Sequence, residues 1–181
     1  MSNSILHTLR EQKNMRMKGG LYHKIQIDLT YNSNHIEGSQ LTHDQTRYIF
    51  ETNTIGVTKD EALNVDDIIE TANHFRCIDY VIDHAQEPLS EQMMLKSGTS
   101  DSRKAWFSVG DYKQLPNEVG GIETSLPEQV HSHMMALIDN YNGQPTHTLD
   151  DIIGFHHSFE RIHPFQDGNG RVGRLIMFKE C

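Results

Sequence analysis

The chain has 181 residues, 36% of them apolar, and 25 acidic against 16 basic side chains give it a formal charge of -9. A chain of this length forms one domain that buries roughly 70% of the surface its unfolded form exposes, and its negative charge argues against a general binder of nucleic acid or of anionic membranes. No apolar run approaches the ~20 residues that span a bilayer, no charged-then-apolar leader opens the chain, and Cys77 and Cys181 are the only thiols, so a reducing, cytoplasmic setting is expected.

Residues 1–38 form an N-terminal segment with helical spacing, interrupted at Gly19-Gly20 and stopped at Gly38, a residue suited to the left-handed turn after a helix. A helix is therefore predicted to end near Glu37. In "NVDDIIETANHFRCIDYVIDHA" Val65, Ile68, Ile69, Ala72, Phe75 and Ile82 recur at helical spacing behind Asn64, a suitable N-cap, which predicts a long core helix. "WFSVGDYKQLPNEVGGIET" is broken by Gly110, Pro116, Gly120 and Gly121. Its Trp106, Val109, Tyr112, Leu115 and Val119 suit a short irregular hairpin, a flap projecting from a helical body, and an ordinary surface loop has the same composition. "LPEQVHSHMMALIDNYNG" begins a helix at Pro127 and ends it at Gly143, and "TLDDIIGFHHSFERI" begins another with Thr148 as N-cap and Asp151 three residues on.

The next stretch, "HPFQDGNGRVGR" from His163 to Arg174, carries the chemistry. Pro164 disfavours helical geometry for His163, so the preceding helix ends there and presents the imidazole into a turn. Gly168 and Gly170 permit positive φ and close approach of a ligand to backbone N–H groups, and Leu175, Ile176 and Phe178 announce a new helix starting around Asn169 to Arg171. A helix start carries partial positive charge, so Arg171 and Arg174 in its first turn call for an anion between them. Spaced by three, they share a face and can hold two phosphates of a polyphosphate while the amides hold another. Asp167 can offer a carboxylate to Mg²⁺, and His163 can take a proton from a hydroxyl near neutral pH, which completes the parts for nucleotide transfer. Nine specified residues at fixed offsets arise by chance on the order of once in 10⁹ chains, at roughly 5% usage each.

His163-Pro164-Phe165, Asp167-Gly168-Asn169-Gly170-Arg171 and Arg174 resemble the Fic motif, HPFx(D/E)GNGRxxR, at every specified position. The resemblance implies an all-α fold, a Fic-type helical bundle with a short β-hairpin flap, in one domain over 1–181 whose core is 39–181. It implies transfer of AMP from ATP to a Ser, Thr or Tyr hydroxyl of a target protein, with pyrophosphate leaving. By that likeness His163 would be the base and Asp167 the Mg²⁺ ligand. Gly168, Asn169 and Gly170 would line the anion hole, Arg171 and Arg174 would hold the outer phosphates, and Phe165 would anchor the loop in the core. Relatives that transfer phosphate have lysine where this chain has Gly170, which points to nucleotidyl transfer. "DYKQLPNEVGG" resembles the Fic flap, which pairs with an extended stretch of the target, and places Val119, Gly120 and Gly121 near the site.

"SNHIEG", Ser33 to Gly38, matches the inhibitory pattern (S/T)xxxE(G/N) of relatives with an N-terminal inhibitory helix. Ser33 and Glu37 lie four apart on one helix face, so Glu37 can reach Arg174 and occupy the fork that the γ-phosphate needs. ATP then binds misaligned, and an ångström of displacement can cost ~10²-fold in rate. In some relatives the corresponding glutamate also helps to remove AMP from the modified target.

Two features depart from the family. "LSEQMMLKSGTS" leaves about two helical turns between Pro88 and Gly98 where relatives have a longer segment, and the last helix is about three turns long at Cys181, so the core is expected to be truncated at its C-terminus, without the contacts to adenine that relatives make after the motif. Two other functions fit some of the residues. His156 or His157 with Glu160 has the spacing of a metal-dependent hydrolase, although the HExxH order is absent. A nucleotide-binding regulatory module that transfers nothing would carry the same motif under a permanent brake. The expected partner is a target protein, or the chain itself, and Met and aromatic residues of the N-terminal segment leave a homodimer open.

Overall fold

The computed structural model describes residues 3–57, 62–98 and 110–181. They form eight α-helices and one two-stranded sheet, arranged as two compact units, Met1–Ala85 and Gln86–Cys181. The fold is all-α with a small hairpin. No helix among the described residues is long and apolar enough to cross a membrane.

The first unit holds α1 (Asn3–Asn14), α2 (Leu21–Ile36), α3 (His43–Thr52) and α4 (Val65–Asp83), with the other three all packed on α2. Between α1 and α2 the chain turns through Arg16 and Gly19, both at positive φ. Gly20, the N-cap of α2, offers no side-chain cap, and Gln12 of α1 supplies one by accepting a hydrogen bond from the Tyr22 N–H at 2.9 Å. α2 ends where the sequence predicts: Glu37 is its C-cap and Gly38 sits at φ 97°.

Leu41, Ile49 and Phe75 form an apolar cluster between α3 and α4. The α2–α4 seam is different. Gln26, Thr30 and Asn34, one turn apart on α2, are all buried and meet polar partners one turn apart on α4. Gln26 Nε2 donates to Asp79 Oδ1 at 2.8 Å, Thr30 Oγ1 shares a hydrogen bond with His74 Nδ1 at 2.9 Å, and Asn34 Nδ2 donates to Thr71 Oγ1 at 3.1 Å. Tyr22 adds a 2.7 Å bond to Asp79, whose carboxyl is pushed up chiefly by burial. Such a ladder fixes register, because a slip leaves several buried polar groups unsatisfied. It also corrects the predicted core stripe of α4: Phe75 and Ile82 are buried, whereas Val65, in the first turn, is exposed.

The second unit holds α5 (Glu91–Gly98), strands β1 (Glu118–Val119) and β2 (Ile122–Glu123), α6 (Pro127–Asn142), α7 (Leu149–Ile162) and α8 (Asn169–Glu180). α5 has the two turns expected between Pro88 and Gly98. α7 packs between α6 and α8, and α5 touches both of those. The core is apolar: Met134 and Ile138 of α6, Phe155 and Phe159 of α7, and Leu175 and Ile176 of α8 are all buried. The strands pair antiparallel with Val119 opposite Ile122, and Gly120 and Gly121, at φ 57° and 77°, form the turn that only glycine makes without strain. Trp106 and Val109, assigned to the same flap from sequence, lie outside the described residues.

α7 has the strongest start signal. Thr148 Oγ1 accepts from Asp151 N at 3.3 Å while Asp151 Oδ2 accepts from Thr148 N at 2.8 Å, a complete capping box, and the Thr148 hydroxyl, donating to Oδ2 at 2.6 Å, and then the Thr148 N–H hold the Asp151 carboxyl below its ordinary range. Thr148→Ala is expected to lower stability by about 1 kcal/mol. Urea unfolding checks it, with the midpoint falling and the slope unchanged.

Candidate active site in the turn between α7 and α8

His163 is delivered by α7. Ile152, Phe155, Phe159 and Ile162 are that helix's buried stripe, and the helix ends as the stripe ends. His163 is the C-cap, at φ 51° and ψ 62°, its N–H donating to Phe159 O at 2.9 Å. Pro164 excludes the right-handed helix at this position, and the chain takes the left-handed value in place of the extended one, at a cost of about 1 kcal/mol for a residue other than glycine. Strain of this kind concentrates at functional positions. The imidazole is mostly buried, with Nδ1 3.3 Å from Glu160 O and 3.7 Å from Glu160 Oε2.

The loop that follows is held by Asn169. Its Oδ1 accepts from Phe165 N and its Nδ2 donates to Phe165 O, both at 2.8 Å, in a buried position. Phe165 is buried beside Phe159 and Tyr112, with ring centroids 6.3 and 6.0 Å apart, which is the anchoring expected of it. Gly168 caps α8 at φ 78°. Gly170 is helical, so the freedom assigned to both glycines is used at Gly168 alone. Asp167 is exposed, and its Oδ1 accepts from Gly168 N at 2.8 Å. The first turn of α8 holds no acid. Arg171 in it is buried and Arg174 half-buried, beside backbone N–H groups that have no acceptor within the helix.

The root of the hairpin is tied to this loop. Lys113 N donates to Pro164 O at 2.8 Å, Asn117 Nδ2 to Phe165 O at 3.0 Å, and Leu115 N to Gln166 Oε1 at 3.2 Å. Lys113 Nζ is surrounded by three acceptors: Asn117 Oδ1 at 2.6 Å, Thr124 Oγ1 at 2.7 Å and Ile162 O at 3.3 Å. Burial nonetheless lowers its pKa to about 8. Val119, Gly120 and Gly121 thus stand on a hairpin whose base is bonded to the loop after His163.

One face of α7 meets α8 at Gly173. A Cβ there would lie 2.7 Å from His156 Cε1 and 2.8 Å from Glu160 Oε1, so the missing side chain makes room for both. Burial, and then the charge of Arg174, hold the His156 imidazole below its ordinary range. His157 is exposed, so the two histidines weighed as metal ligands do not share an environment, and among the described residues no three His, Cys, Asp or Glu side chains converge as a metal site. In the first unit Ser33 is buried and Glu37, the C-cap of α2, is exposed.

The side-chain role of Asn169, the hub at Lys113 and the proximity of Glu160 to His163 are absent from the sequence reading. Glu160 alone left a local signal there, a carboxylate three residues before a helix-ending histidine.

The Fic/DOC family profile matches residues 82–181. The chain is 28% identical to a protein adenylyltransferase Fic of Nematostella vectensis, over 81% of this chain and 35% of that protein, and 26% identical to protein adenylyltransferase fic-1 of Caenorhabditis elegans, over 97% of this chain and 34% of that protein. It thus spans about a third of the length of these curated relatives. The crystal structure of a Fic domain containing signaling protein from Bacteroides thetaiotaomicron superposes with a TM-score of 0.76 at 26% identity, covering 95% of this chain and 70% of that one.

Asn169→Ala leaves the buried Phe165 N–H unsatisfied, and a loss of about 2 kcal/mol by chemical denaturation is expected. Lys113→Met is expected to speed amide exchange over residues 113–124 about tenfold, read by hydrogen–deuterium exchange. Burial of Lys113 makes stability rise with pH. With its folded pKa at about 8 and an ordinary value of 10.5, its contribution to stability is complete above the latter and is lost as pH falls towards the former. Wild type therefore gains on Lys113→Met between those pH values, which paired denaturation curves measure.

Proposed function

The chain belongs to the Fic/DOC family, and from that premise we propose that it transfers AMP from ATP to a Ser, Thr or Tyr hydroxyl of a target protein or of itself, under restraint by Glu37. The observation that carries the reading is the turn itself. A strained histidine closes one helix, and the next opens on an acid-free first turn that holds Arg171, with Arg174 one turn further on and residues 163–168 between the helices. Few other arrangements hold a base and a polyphosphate cradle so close in sequence.

In this reaction His163 takes the proton of the target hydroxyl, whose oxygen bonds to the α-phosphorus as the bond to the β-phosphate breaks and pyrophosphate leaves. Arg171 and Arg174 hold the outer phosphates, and the opening amides of α8, from Gly168, Asn169 and Gly170, receive anionic oxygens. The Asn169 side chain holds the loop and leaves only its backbone for that task. Asp167 suits Mg²⁺, which binds through one or two carboxylates plus phosphate oxygens and water. Its carboxylate is exposed and only one oxygen is engaged by the loop. Bound there, the ion would neutralise phosphate charge. Gly170 in place of lysine favours nucleotidyl over phosphoryl transfer. The hairpin at Val119, Gly120 and Gly121 offers its edge to an extended stretch of the target.

The Ser33–Glu37 pattern at the end of α2 supports the restraint, with the Glu37 carboxylate competing for the guanidinium of Arg174 that the γ-phosphate needs. Incorporation of labelled AMP from ATP, into the protein and into lysate proteins, tests both parts. Glu37→Gly is expected to label at least about tenfold more than wild type, and Glu37→Gly with His163→Ala to label nothing. If Glu37→Gly binds ATP by calorimetry and labels nothing, the transferase reading fails, and a nucleotide-binding regulator takes its place.

A further inference from the structure

The reading above needs the lone pair of His163 on a particular nitrogen. A neutral imidazole carries one proton, and the nitrogen that keeps it cannot act as the base. In the structure Nδ1 lies against Glu160, 3.3 Å from its carbonyl oxygen and 3.7 Å from carboxylate Oε2, in a largely buried setting. Both groups are acceptors. A proton on Nδ1 can be donated to the carbonyl oxygen and faces the charge of the carboxylate, whereas a lone pair there would face two oxygens.

Glu160 is itself held in place. It projects from the face of α7 that meets α8, and its Oε1 occupies the space that Gly173 leaves open. Histidines lie one turn to either side of it. His156, buried beside Arg174, favours its neutral form, so the charge that Glu160 can stabilise is that of His163. Of the charged groups on the elements packed around this part of α7, Arg174 on α8 acts on His156, Lys113 of the hairpin root reaches Ile162 O with its Nζ at 3.3 Å, and Asp167 lies in the loop that follows His163. Two of these three are cations that oppose an imidazolium. The C-terminal end of α7 favours one.

On the transferase reading, we propose that Glu160 is a positioning residue for His163: it keeps the neutral ring's proton on Nδ1, leaves Nε2 as the base, and stabilises the imidazolium formed when Nε2 takes the hydroxyl proton. Glu160 remains ionised throughout. The proton passes from the target oxygen to Nε2, and the electron pair of the O–H bond goes into the new oxygen–phosphorus bond. This is the division of labour between carboxylate and histidine in hydrolytic triads, with the carboxylate supplied one turn back on the same helix.

The test reads the ring directly. Long-range proton–nitrogen spectra of the full chain labelled with ¹⁵N-histidine, with His163 assigned by its loss in His163→Ala, give its tautomer and titration midpoint without any turnover. In wild type the neutral ring should carry its proton on Nδ1. In Glu160→Gln the midpoint should fall by about half a unit or more, with Glu160→Asp between the two. In the Glu37→Gly background, Glu160→Gln should lower AMP transfer about tenfold and move the acidic limb of its pH profile down by the same shift as the midpoint, with ATP affinity unchanged. A neutral His163 protonated on Nε2 in wild type, or the same midpoint with and without the Glu160 carboxylate, would overturn the assignment. If the spectra behave as expected and Glu37→Gly transfers nothing, the positioning role stands and the transferase reading falls.

Discussion

The site depends on one side chain's grip on one residue's backbone. The Asn169 amide presents an acceptor and a donor to the N–H and C=O of Phe165, both at 2.8 Å, and so fixes the length and path of the loop between α7 and α8. Aspartate could accept but not donate, and glutamine would carry the amide one methylene too far. With the loop fixed, Phe165 is seated beside Phe159 and Tyr112, and Gly168 starts α8. His163 at the end of α7 and the arginines near the start of α8 are then joined by a loop of fixed path.

The two ends differ electrically. The C-terminal end of α7 carries partial negative charge and favours a cationic imidazole, whereas the N-terminal end of α8 carries partial positive charge and lowers the cost of holding an anion. Arg171 and Arg174 add to that positive end, so the first turn of α8 is unfavourable by itself and favourable with phosphate bound. Lys113 sets a further limit. Its ammonium is wrapped by acceptors from the hairpin and from Ile162, so the hairpin and the end of α7 are held by one buried group.

The N-terminal unit is built on another principle. Where α6, α7 and α8 meet through Met, Phe, Leu and Ile, α2 meets α4 through Gln26, Thr30 and Asn34. Apolar seams tolerate sliding by small steps, because their contacts are not directional. A polar ladder does not, since each rung must meet its own partner. The position of Glu37 along α2 is therefore set by hydrogen bonds as far back as Tyr22.

Most of the helices are legible in the sequence because their signals are local, although α3 goes unread despite its own capping box at Thr42 and Gln45. Asn64, Thr148, Pro127 and Gly38 cap, start or stop elements within a few residues of themselves, and the apolar period of α7 runs to the residue before His163. The motif from His163 to Arg174 was legible for the same reason: its parts lie within twelve residues, and the charge of a helix start is a property of the chain alone. Tertiary structure decided what depends on residues far apart in sequence. Lys113 gains its buried setting only where Ile162 O meets it, and Gln26, Thr30 and Asn34 gain partners only where α4 packs on α2. Glu160 lies one turn before His163, but only the fold seats its Oε1 over Gly173 and brings its Oε2 to 3.7 Å from Nδ1. Burial turns a polar side chain from a solubility feature into a specific bond, and burial is the property that sequence spacing does not fix.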